Sequence, residues 1–530
     1  MDAPLVHCTV SELTRANARR YPDATAFVFD GERHSWKEVD DATDRIAAGM
    51  LAQGIGRGVR VGLWSLNDLA TAYHLIAAMK IGAIPAVVNY SYREFELEGV
   101  LWRAQIGHLF IGECKAGSDY VAMAESVRAK GESGLVLHDM MAALAEALAG
   151  FSSGAPLARR AALDDAKGKV SPSDVAGITF TSGTTKQPKP VMLTFDNVVN
   201  NAVQIGALMR ASHDDVLVAP LPFFHSSGIT GLLFYALTSG MTAIIHRMFK
   251  TEAVLADIDR YKPTVLMVVP SMIELMVQSE SFDCYDVSSL RVGLVSGAVV
   301  SPAKMRRFID RLGIPHLLMA YGQTECSPII ASTLYDDDLV TATETVGVPL
   351  PHTELRIWDE SADRPAPRGV TGEIQVRGFN VMKGYFNYEE ENAKKFTGDG
   401  WLKTTDAGFL DDRGYLHFSS RISSLIIRHG ENISPAEIEA VVDMYCDDVE
   451  TVKVVGVPDD VTGEAVACLI KTKRSVIDPD DVKRFVKSKI ASYKCPKYVF
   501  QVDEFPMTAT TKISETGCHR LAQELVDRLG

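Results

Sequence analysis

The alternation of apolar and polar residues predicts helices and strands in turn along the N-terminal part of the chain. Apolar residues repeat with a helical period over 41–53 and over 69–82, and a Val/Leu run at 59–65 between them predicts a strand. The same rhythm recurs at further short strands of buried type, predicted from 214, 242, 264 and 291. Strands that alternate with helices build a parallel sheet, so the pattern predicts an α/β fold.

The pattern changes near Val346. Short β-rich pieces separated by glycine turns follow, and they predict a barrel-like or meandering unit. An Ala/Gly/Ser-rich stretch at 143–166 is compatible with a linker and equally with a helix followed by a surface loop. The sequence leaves that choice open.

A separate C-terminal unit is predicted from about residue 423. Ser434 suits the N-cap of a helix and Pro435 its first position, and a Val-rich strand follows. We therefore predict a large N-terminal domain over 1–422, made of two βαβ subdomains and the β-barrel-like unit. A small α+β domain over 424–530 completes the chain.

Composition and charge narrow the functional classes. The 530 residues are 46% hydrophobic and 23% charged, which is typical of folded multi-domain proteins and excludes a largely disordered chain. Lys and Arg total 54 against 68 Asp and Glu, giving a net charge of -14. No overall positive field would recruit nucleic acid or anionic lipid, so we expect neither as a partner.

The cysteines and the apolar stretches bear on location. The eight cysteines are scattered singly, without a Cys-x-x-Cys pair, which favours a reducing compartment. The first residues lack the positive charge and apolar run of a secretion signal, and the apolar stretches are too short for a membrane helix. We expect a cytoplasmic protein without a membrane partner.

A Ser/Thr/Gly-dense loop with two lysines follows an apolar strand at 178–194. Hydroxyls, backbone N–H groups and ammonium groups are what a polyphosphate requires, although such a loop is also an ordinary turn in other proteins. A second motif, MAYGQTECSP at 319–328, places an aromatic ring, a hydroxyl and a carboxylate at a strand end. It suits stacking on a base, donation to a phosphate and Mg²⁺ binding, or else a strand-end loop with a solvated glutamate.

A third motif, at 400–439, completes an ordered series that resembles the adenylate-forming superfamily, and within it the acyl-CoA and aryl-CoA synthetases. The family patterns TSGTTG-x-PKG, YG-x-TE, GW-x-x-TGD, GR-x-x-x-x-I-x-x-GGENI-x-P-x-EIE and a final P-x-T-x-x-GK all have counterparts here, over nearly the whole chain. The resemblance implies that a carboxylic acid reacts with ATP to give acyl-AMP and pyrophosphate. The thiol of coenzyme A then displaces AMP after a mobile small domain has rotated about a hinge near Ser423.

The resemblance also implies which residues bind the nucleotide and CoA. Tyr321 would contact adenine, Asp406 and Arg421 would hold the ribose, and the loop of Gly430 and Glu431 would reach the site for thioesterification. The full set is Thr181, Ser182, Gly183, Thr184, Thr185, Lys189, Ser296, Gly297, Ala298, Tyr321, Gly322, Asp406, Arg421, Gly430 and Glu431.

Four residues carry catalytic roles by the same resemblance. Thr324 would meet the α-phosphate, and Lys512 would bridge the new anhydride during adenylation. Glu325, together with Thr184, would hold Mg²⁺. His225 stands where an aromatic side chain blocks or opens the acyl tunnel; for it, as for the hinge at Ser423, an ordinary structural role is equally compatible.

Several glycines that the family pattern contains are replaced in this chain. Glycine reaches φ > 0 and admits phosphate oxygens to bare backbone, whereas lysine resists that conformation and proline lacks the N–H. The replacements are Lys186 and Pro190 in the phosphate loop, Thr405 before Asp406, His429, and Thr511 before Lys512. Because the AMP-holding residues are kept, we hypothesise that the protein uses acyl-AMP and CoA but forms the adenylate from ATP poorly or not at all. A separate adenylating enzyme would then supply acyl-AMP.

The sequence leaves other functions and substrates open. Retention of Lys512 favours a complete ATP-dependent synthetase, and a non-catalytic AMP-binding relative is a third alternative. The segment 222–231 lacks the acidic residue that an amino-acid substrate requires. Apolar residues suggest an apolar acid without distinguishing a cyclic acid from a medium chain: Phe223, Phe224, Ile229, Leu232 and Met241. The sequence is compatible with a homodimer.

Overall fold

The computed structural model describes residues 3–130, 134–154, 156, 160–181, 188–298, 300–421, 424–428, 431–459, 463–473, 475–490, 494–507 and 513–529. The helices are α1 (Val10–Arg20), α2 (Trp36–Ala52), α3 (Leu69–Lys80), α4 (Glu94–Arg103), α5 (Tyr120–Lys130), α6 (Met140–Ser152), α7 (Arg160–Gly168), α8 (Phe195–Leu208), α9 (Ser226–Gly228), α10 (Tyr235–Ser239), α11 (Thr251–Tyr261), α12 (Pro270–Val277), α13 (Pro302–Leu312), α14 (Leu339–Glu344), α15 (Glu389–Lys395), α16 (Pro435–Asp443), α17 (Pro479–Lys489) and α18 (Glu515–Asp527).

The strands are β1 (Thr25–Phe29), β2 (Glu32–Ser35), β3 (Arg60–Trp64), β4 (Ile84–Val88), β5 (His108–Ile111), β6 (Val136–Asp139), β7 (Val175–Thr181), β8 (Lys189–Thr194), β9 (Val216–Val218), β10 (Thr242–Ile244), β11 (Val265–Val268), β12 (Val292–Ser296), β13 (His316–Gly322), β14 (Ile329–Ser332), β15 (Val348–Pro349), β16 (Thr353–Asp359), β17 (Arg364–Pro365), β18 (Gly372–Gly378), β19 (Gly384–Tyr385), β20 (Leu402–Leu410), β21 (Leu416–Arg421), β22 (Ile426–Arg428), β23 (Glu431–Ile433), β24 (Val449–Asp459), β25 (Gly463–Thr472) and β26 (Tyr498–Gln501).

Two large, mostly parallel sheets dominate the N-terminal part of the molecule. One has the strand order β15-β14-β13-β12-β11-β9-β10-β1-β2, and the other β19-β8-β7-β4-β3-β5-β6. The predicted helices and strands are confirmed in α2, β3 and α3 and in the core strands β9 to β12. All residues of α3 are buried, because it carries apolar residues around its whole circumference and packs among α1, α2 and β3. The α/β class is therefore confirmed.

A five-stranded antiparallel sheet forms the β-rich unit that the sequence predicted. Its order is β17-β16-β18-β20-β21, so among the described residues β16, β18, β20 and β21 follow one another as in a meander, and β17 adds at the outer edge of β16. The first predicted piece, Val348–Pro349, instead joins the edge of the nine-stranded sheet beside β14. The Ala/Gly/Ser-rich stretch contains α6, which packs on α2 and α3, so the interpretation as a linker is wrong.

The C-terminal part is a small α+β unit. Strands β22 to β26 form one sheet, whose apolar side chains, among them Ile426 and Ile433, pack against α16 and α17. The predicted helix at Ser434 is confirmed as α16, but the Ser434 hydroxyl does not cap it. It donates instead to the carbonyl of Ser419 in β21, at 2.6 Å, and so links the small unit to the large one.

The exact domain division stays a prediction. Residues 422 and 423, where we expect the boundary and the hinge, lie outside the described residues. Within the described ranges, none of the helices is both long and apolar enough to cross a bilayer.

Candidate active site

The predicted adenine-contacting segments meet at the carboxyl ends of two neighbouring parallel strands. Ser296 ends β12 and is paired with Ala320 of β13, so Tyr321 and Gly322 follow directly beside it. Gly297 continues with a φ of 90°, which favours glycine, and Ala298 is exposed. Ligands of open α/β sheets bind at this edge, outside the carboxyl ends of the strands.

Tyr321 and Asp406 form a buried hydrogen bond that joins the nine-stranded sheet to the antiparallel sheet. The Tyr321 phenol donates to Asp406 Oδ2 over 2.7 Å, and the two residues are only 7% and 8% exposed. Burial, reinforced by the negative charge of Asp406, raises the pKa of Tyr321 well above its usual value, so the phenol keeps its proton. On the other side, Asp406 of β20 is the register partner of Arg421 of β21. Three of the predicted nucleotide-binding residues are thus brought together.

A bulge in β20 sets the position of Asp406. The register with β18 passes from Gln375–Lys403 to Glu373–Ala407, so three residues of β20 lie opposite Ile374. The Thr404 hydroxyl secures the bulge by donating to Ile374 O at 2.6 Å and accepting from the backbone N–H of Asp406 at 3.1 Å. Thr405, where the family pattern has glycine, adopts a left-handed φ of 66°, which strains a β-branched residue.

Thr324 and Glu325 lie in a short 3₁₀ turn, Thr324–Cys326, directly after β13. A Cβ on Gly322 would stand 1.9 Å from the carbonyl oxygen of Pro328, so only glycine fits there. Glu325 is 8% exposed, and its Oε1 accepts a 2.7 Å hydrogen bond from the Tyr385 phenol. The turn therefore holds a buried carboxylate close to the end of β13.

Glu325 suits Mg²⁺ as a single carboxylate ligand, since Mg²⁺ in nucleotide sites takes one or two carboxylates together with phosphate oxygens and waters. Elsewhere in the described residues, no cluster of three His, Cys, Asp or Glu side chains is arranged to hold a metal ion. Thr184, the second predicted ligand, lies outside the described residues. The residues present thus fit a metal that binds together with its nucleotide.

The two ends of the phosphate loop are adjacent, because Thr181 of β7 pairs with Lys189 of β8. The Lys189 ammonium lies 2.5 Å from Glu391 Oε2 of α15 and 5.3 Å from the centre of the Tyr385 ring. The hydrogen bond and charge of Lys189 hold the pKa of the Glu391 carboxyl below its usual value. The cation at the base of the loop is therefore already paired with a carboxylate.

Pro190 lies within the sheet rather than at the mouth of the loop. It pairs with Phe180 of β7, and its carbonyl accepts from the N–H of Phe386, next to β19, at 2.9 Å. The amide N and the carbonyl of a strand residue point to the same side. The N–H that proline lacks would therefore point toward β19, away from β7.

His225 precedes α9, which continues through a π-helical turn, Ile229–Phe234, into α10. Its ring packs on Phe224 at 4.5 Å, and the hydroxyl of the next residue, Ser226, donates to Thr324 Oγ1 at 3.4 Å. The segment of His225 therefore reaches the turn that carries the predicted catalytic residues. The predicted apolar acid-binding residues are buried in the same core: Phe223, Phe224, Ile229, Leu232 and Met241.

Comparison with known proteins decides the family. The profile described as AMP-binding enzyme matches residues 14–386, and that of the AMP-binding enzyme C-terminal domain matches residues 437–512. The chain belongs to the AMP-binding enzymes. YngI of Bacillus subtilis, whose naming as an acyl-CoA synthetase is provisional, is 34% identical over 532 residues, which cover 97% of both chains. The mouse mitochondrial medium-chain acyl-CoA ligase ACSF2 is 31% identical over 543 residues, 97% of this chain and 87% of its own.

A solved structure of this family has the same fold. ATP-bound MatB from Rhodopseudomonas palustris is 26% identical, with a TM-score of 0.82 over 98% of this chain and 100% of its own. The α/β large domain followed by a small α+β domain is thus shared with adenylate-forming enzymes. The predicted membership of the acyl-CoA synthetase branch is confirmed, and the protein is an enzyme of the acyl-CoA ligase family.

The binding and catalytic roles of the predicted site residues of this AMP-binding enzyme remain predictions. Arg421 and Glu431 are described by their strands only, and Glu431 of β23 pairs with Arg428 of β22. Others lie outside the described residues: Ser182, Gly183, Thr184, Thr185, Lys186, Ser423, His429, Gly430, Thr511 and Lys512.

Sequence patterns do not predict three residues that lie at the candidate site of this AMP-binding enzyme. Tyr385 and Glu391 approach the site only through the pairing of β19 with β8. Asn67, after β3, donates to Leu221 O at 2.7 Å and accepts from the N–H of Phe223 at 2.8 Å, which fixes the segment before His225. No local pattern marks any of the three, because each acts on residues distant in the chain.

Proposed function

We propose that this AMP-binding enzyme makes a CoA thioester from a carboxylic acid by way of acyl-AMP, and that it is specialised for the second half-reaction. The observation that carries the proposal is a contrast within one site. Two residues expected to hold AMP, Tyr321 and Asp406, lie together in a hydrogen bond, whereas the cation expected to hold the pyrophosphate is paired with a carboxylate.

The AMP side of the site supports binding of an acyl-adenylate. Tyr321 with Ser296, Gly297, Ala298 and Gly322 would border the adenine, and Asp406 with Arg421 would hold the ribose hydroxyls. The Tyr321 bond fixes one oxygen of Asp406 and so holds this buried carboxylate at a defined place. Because these side chains are already held in place, less conformational entropy is lost when the ligand binds.

The phosphate side supports weak adenylation. Departing pyrophosphate needs cations and donors that are already in place. Lys189 is neutralised by Glu391, and Lys186 takes the place of a loop glycine. Pro190 weakens the phosphate loop less than its place in the sequence suggested, since its missing N–H would point toward β19.

The chemistry of the proposed step is a transfer of the acyl group from oxygen to sulfur. The CoA sulfur attacks the acyl carbonyl carbon and forms the C–S bond, and the thiol proton passes to water. The C–O bond to AMP then breaks, and its electron pair leaves on the AMP phosphate oxygen. Thr324 would contact that phosphate, the loop of Gly430 and Glu431 would border the entering thiol, and His225 would border the acyl group. Mg²⁺ at Glu325 and Thr184 would neutralise phosphate charge where ATP is used.

The remaining partners follow from this chemistry. They are a small carboxylic acid or its acyl-adenylate, CoA, and a separate adenylating enzyme. All eight cysteines are free thiols in the structure, which supports the cytoplasm as the location.

A complete ATP-dependent synthetase is the second candidate. Lys512 is kept at the position of the adenylation lysine, and a chain relieved of adenylation has no evident need for it. The names of ACSF2 as an acyl-CoA ligase and of MatB as an ATP-bound protein also favour this candidate.

Two parallel assays separate the candidates. One contains a panel of medium-chain and aromatic acids with ATP, Mg²⁺ and CoA, and the other contains the matching synthetic acyl-adenylates with CoA. We expect thioester from the second assay at a rate at least about a hundredfold above the first, a difference of about 2.7 kcal/mol in barrier. Equal rates would establish the complete synthetase, and AMP binding without thioester from either would establish a non-catalytic relative.

A further inference from the structure

We propose that Glu391 determines which nucleotide the site accepts: by occupying Lys189 it admits an adenosine monophosphate ester and disfavours a triphosphate. The inference rests on the proposed function for the location of the phosphates. It adds a specificity-determining residue that the family pattern does not mark.

The Lys189–Glu391 pair is held in place from both sides. Lys189 begins β8, and β8 pairs with β19, where Tyr385 is the register partner of Val191. Asn392, the residue after Glu391, clamps Tyr385: its Oδ1 accepts from Tyr385 N at 2.7 Å and its Nδ2 donates to Tyr385 O at 2.9 Å. The start of α15 is thereby fixed against β8.

The pair also adjoins the predicted metal ligand. The Lys189 ammonium lies over the Tyr385 ring, a favourable cation–π contact, and the phenol of the same ring donates to Glu325. Glu391, Lys189, Tyr385 and Glu325 therefore form a continuous row from the phosphate loop to the 3₁₀ turn after β13. Any group that binds along this row meets Glu391 at one end.

The consequence differs between nucleotides because their charges differ. AMP or an acyl-adenylate has one phosphate, which lies near Thr324 and does not need Lys189. A triphosphate extends to the loop, where its oxygens compete with the Glu391 carboxylate for Lys189. The side chains of Lys189 and Glu391 are 18% and 35% exposed, so the pair is partly solvated and a triphosphate can separate it at a cost.

The neighbouring residue provides a matched control. Glu390 lies in the same helical turn and is exposed, whereas Glu391 makes the contact with Lys189. Glu391→Gln and Glu390→Gln remove the same charge from the same helix. A general electrostatic effect of α15 would therefore appear in both variants.

The test is calorimetric titration of the full chain with AMP and with ATP in the presence of Mg²⁺. We expect Glu391→Gln to raise the affinity for ATP roughly five- to tenfold relative to Glu390→Gln, because Lys189 is released from one charged hydrogen-bond partner. The affinity for AMP should change by less than about twofold. The gain should disappear in the double variant Glu391→Gln with Lys189→Met. Thermal unfolding checks that each variant is folded, and Glu391→Asp, which keeps the charge, should bind ATP as the unmodified protein does.

Two outcomes overturn the inference: equal effects of the two glutamine variants on ATP, or an equal gain for AMP and ATP. Neither depends on the rates from acid or from acyl-adenylate. Fast ligation of free acid by the unmodified protein would end the half-reaction proposal, while the difference between Glu391→Gln and Glu390→Gln would still decide the role of Glu391.

Discussion

At the scale of single residues, the position of Asp406 depends on the local backbone conformation and on hydrogen bonds. Tyr321 and Asp406 belong to two separate motifs that lie 85 positions apart. Their 2.7 Å bond depends on the bulge in β20, where Thr405 takes a left-handed φ of 66°. The family pattern has glycine there because glycine adopts a left-handed φ without strain. Threonine keeps the geometry because Thr404 secures the bulge from both sides.

Replacing Thr405 with glycine should relieve this strain. A β-branched residue in the left-handed region costs about 1–3 kcal/mol, and the flexibility of glycine in the unfolded chain returns part of that. We expect Thr405→Gly to raise the free energy of unfolding by about 1 kcal/mol, measured in urea. Thr404→Val, which removes the securing hydroxyl but keeps the shape, should lower it by about 1–2 kcal/mol. Lower stability of Thr405→Gly would show that the backbone is not strained there.

At the scale of elements, short connections join the two large sheets beside the predicted acid-binding residues. Asn67 lies between β3 and α3 and hydrogen-bonds both ways to the segment that leads to His225. Its own backbone N–H donates to the carbonyl of Arg247 at 3.1 Å. One buried amide thus fixes the loops after β3, β9 and β10 relative to one another. We infer that it positions the acid-binding segment without touching the acid.

Asn67→Ala tests this positioning role. The change leaves Leu221 O and Phe223 N without their partner, so we expect about 2 kcal/mol lower stability. We also expect a higher KM for the acid or acyl-adenylate with a smaller change in kcat. Asn17→Ala is the control, because Asn17 donates to Leu237 O at 2.8 Å and should lose stability alone. An unchanged KM in Asn67→Ala would contradict the positioning role and show that Asn67 contributes to stability alone.

At the scale of the whole molecule, polar contacts among the described residues join the small unit to the large one. The Lys304 ammonium on α13 donates to the carbonyl of Glu450 at 3.0 Å and lies 4.0 Å from Asp443 Oδ1 at the end of α16. Together with the bond from Ser434 to Ser419, this contact holds the small unit in its present position. Polar contacts of this kind suit the rotation of the small unit that the family resemblance implies.

Lys304→Met should loosen the small unit. We expect hydrogen exchange of the α16 amides to increase roughly two- to fivefold, as for loss of a partly exposed charged contact. Arg306→Met is the matched control on the same helix, because Arg306 pairs with Glu344 within the large unit. The same exchange rate in both variants would contradict a role for Lys304 in holding the small unit.

The sequence by itself determined the α/β class, the helices and strands from α2 to α3, and the membership of the acyl-CoA synthetase branch. These depend on local periodicity and on ordered motifs, which a chain carries without folding. Only the tertiary structure decided that α6 is a helix packed on the core, that Pro190 faces β19, and that Glu391 pairs with Lys189. Each depends on contacts between segments distant in sequence, and the pairing of 189 with 391 spans 202 positions. No local pattern encodes such contacts, because strand pairing and packing across the whole molecule create them.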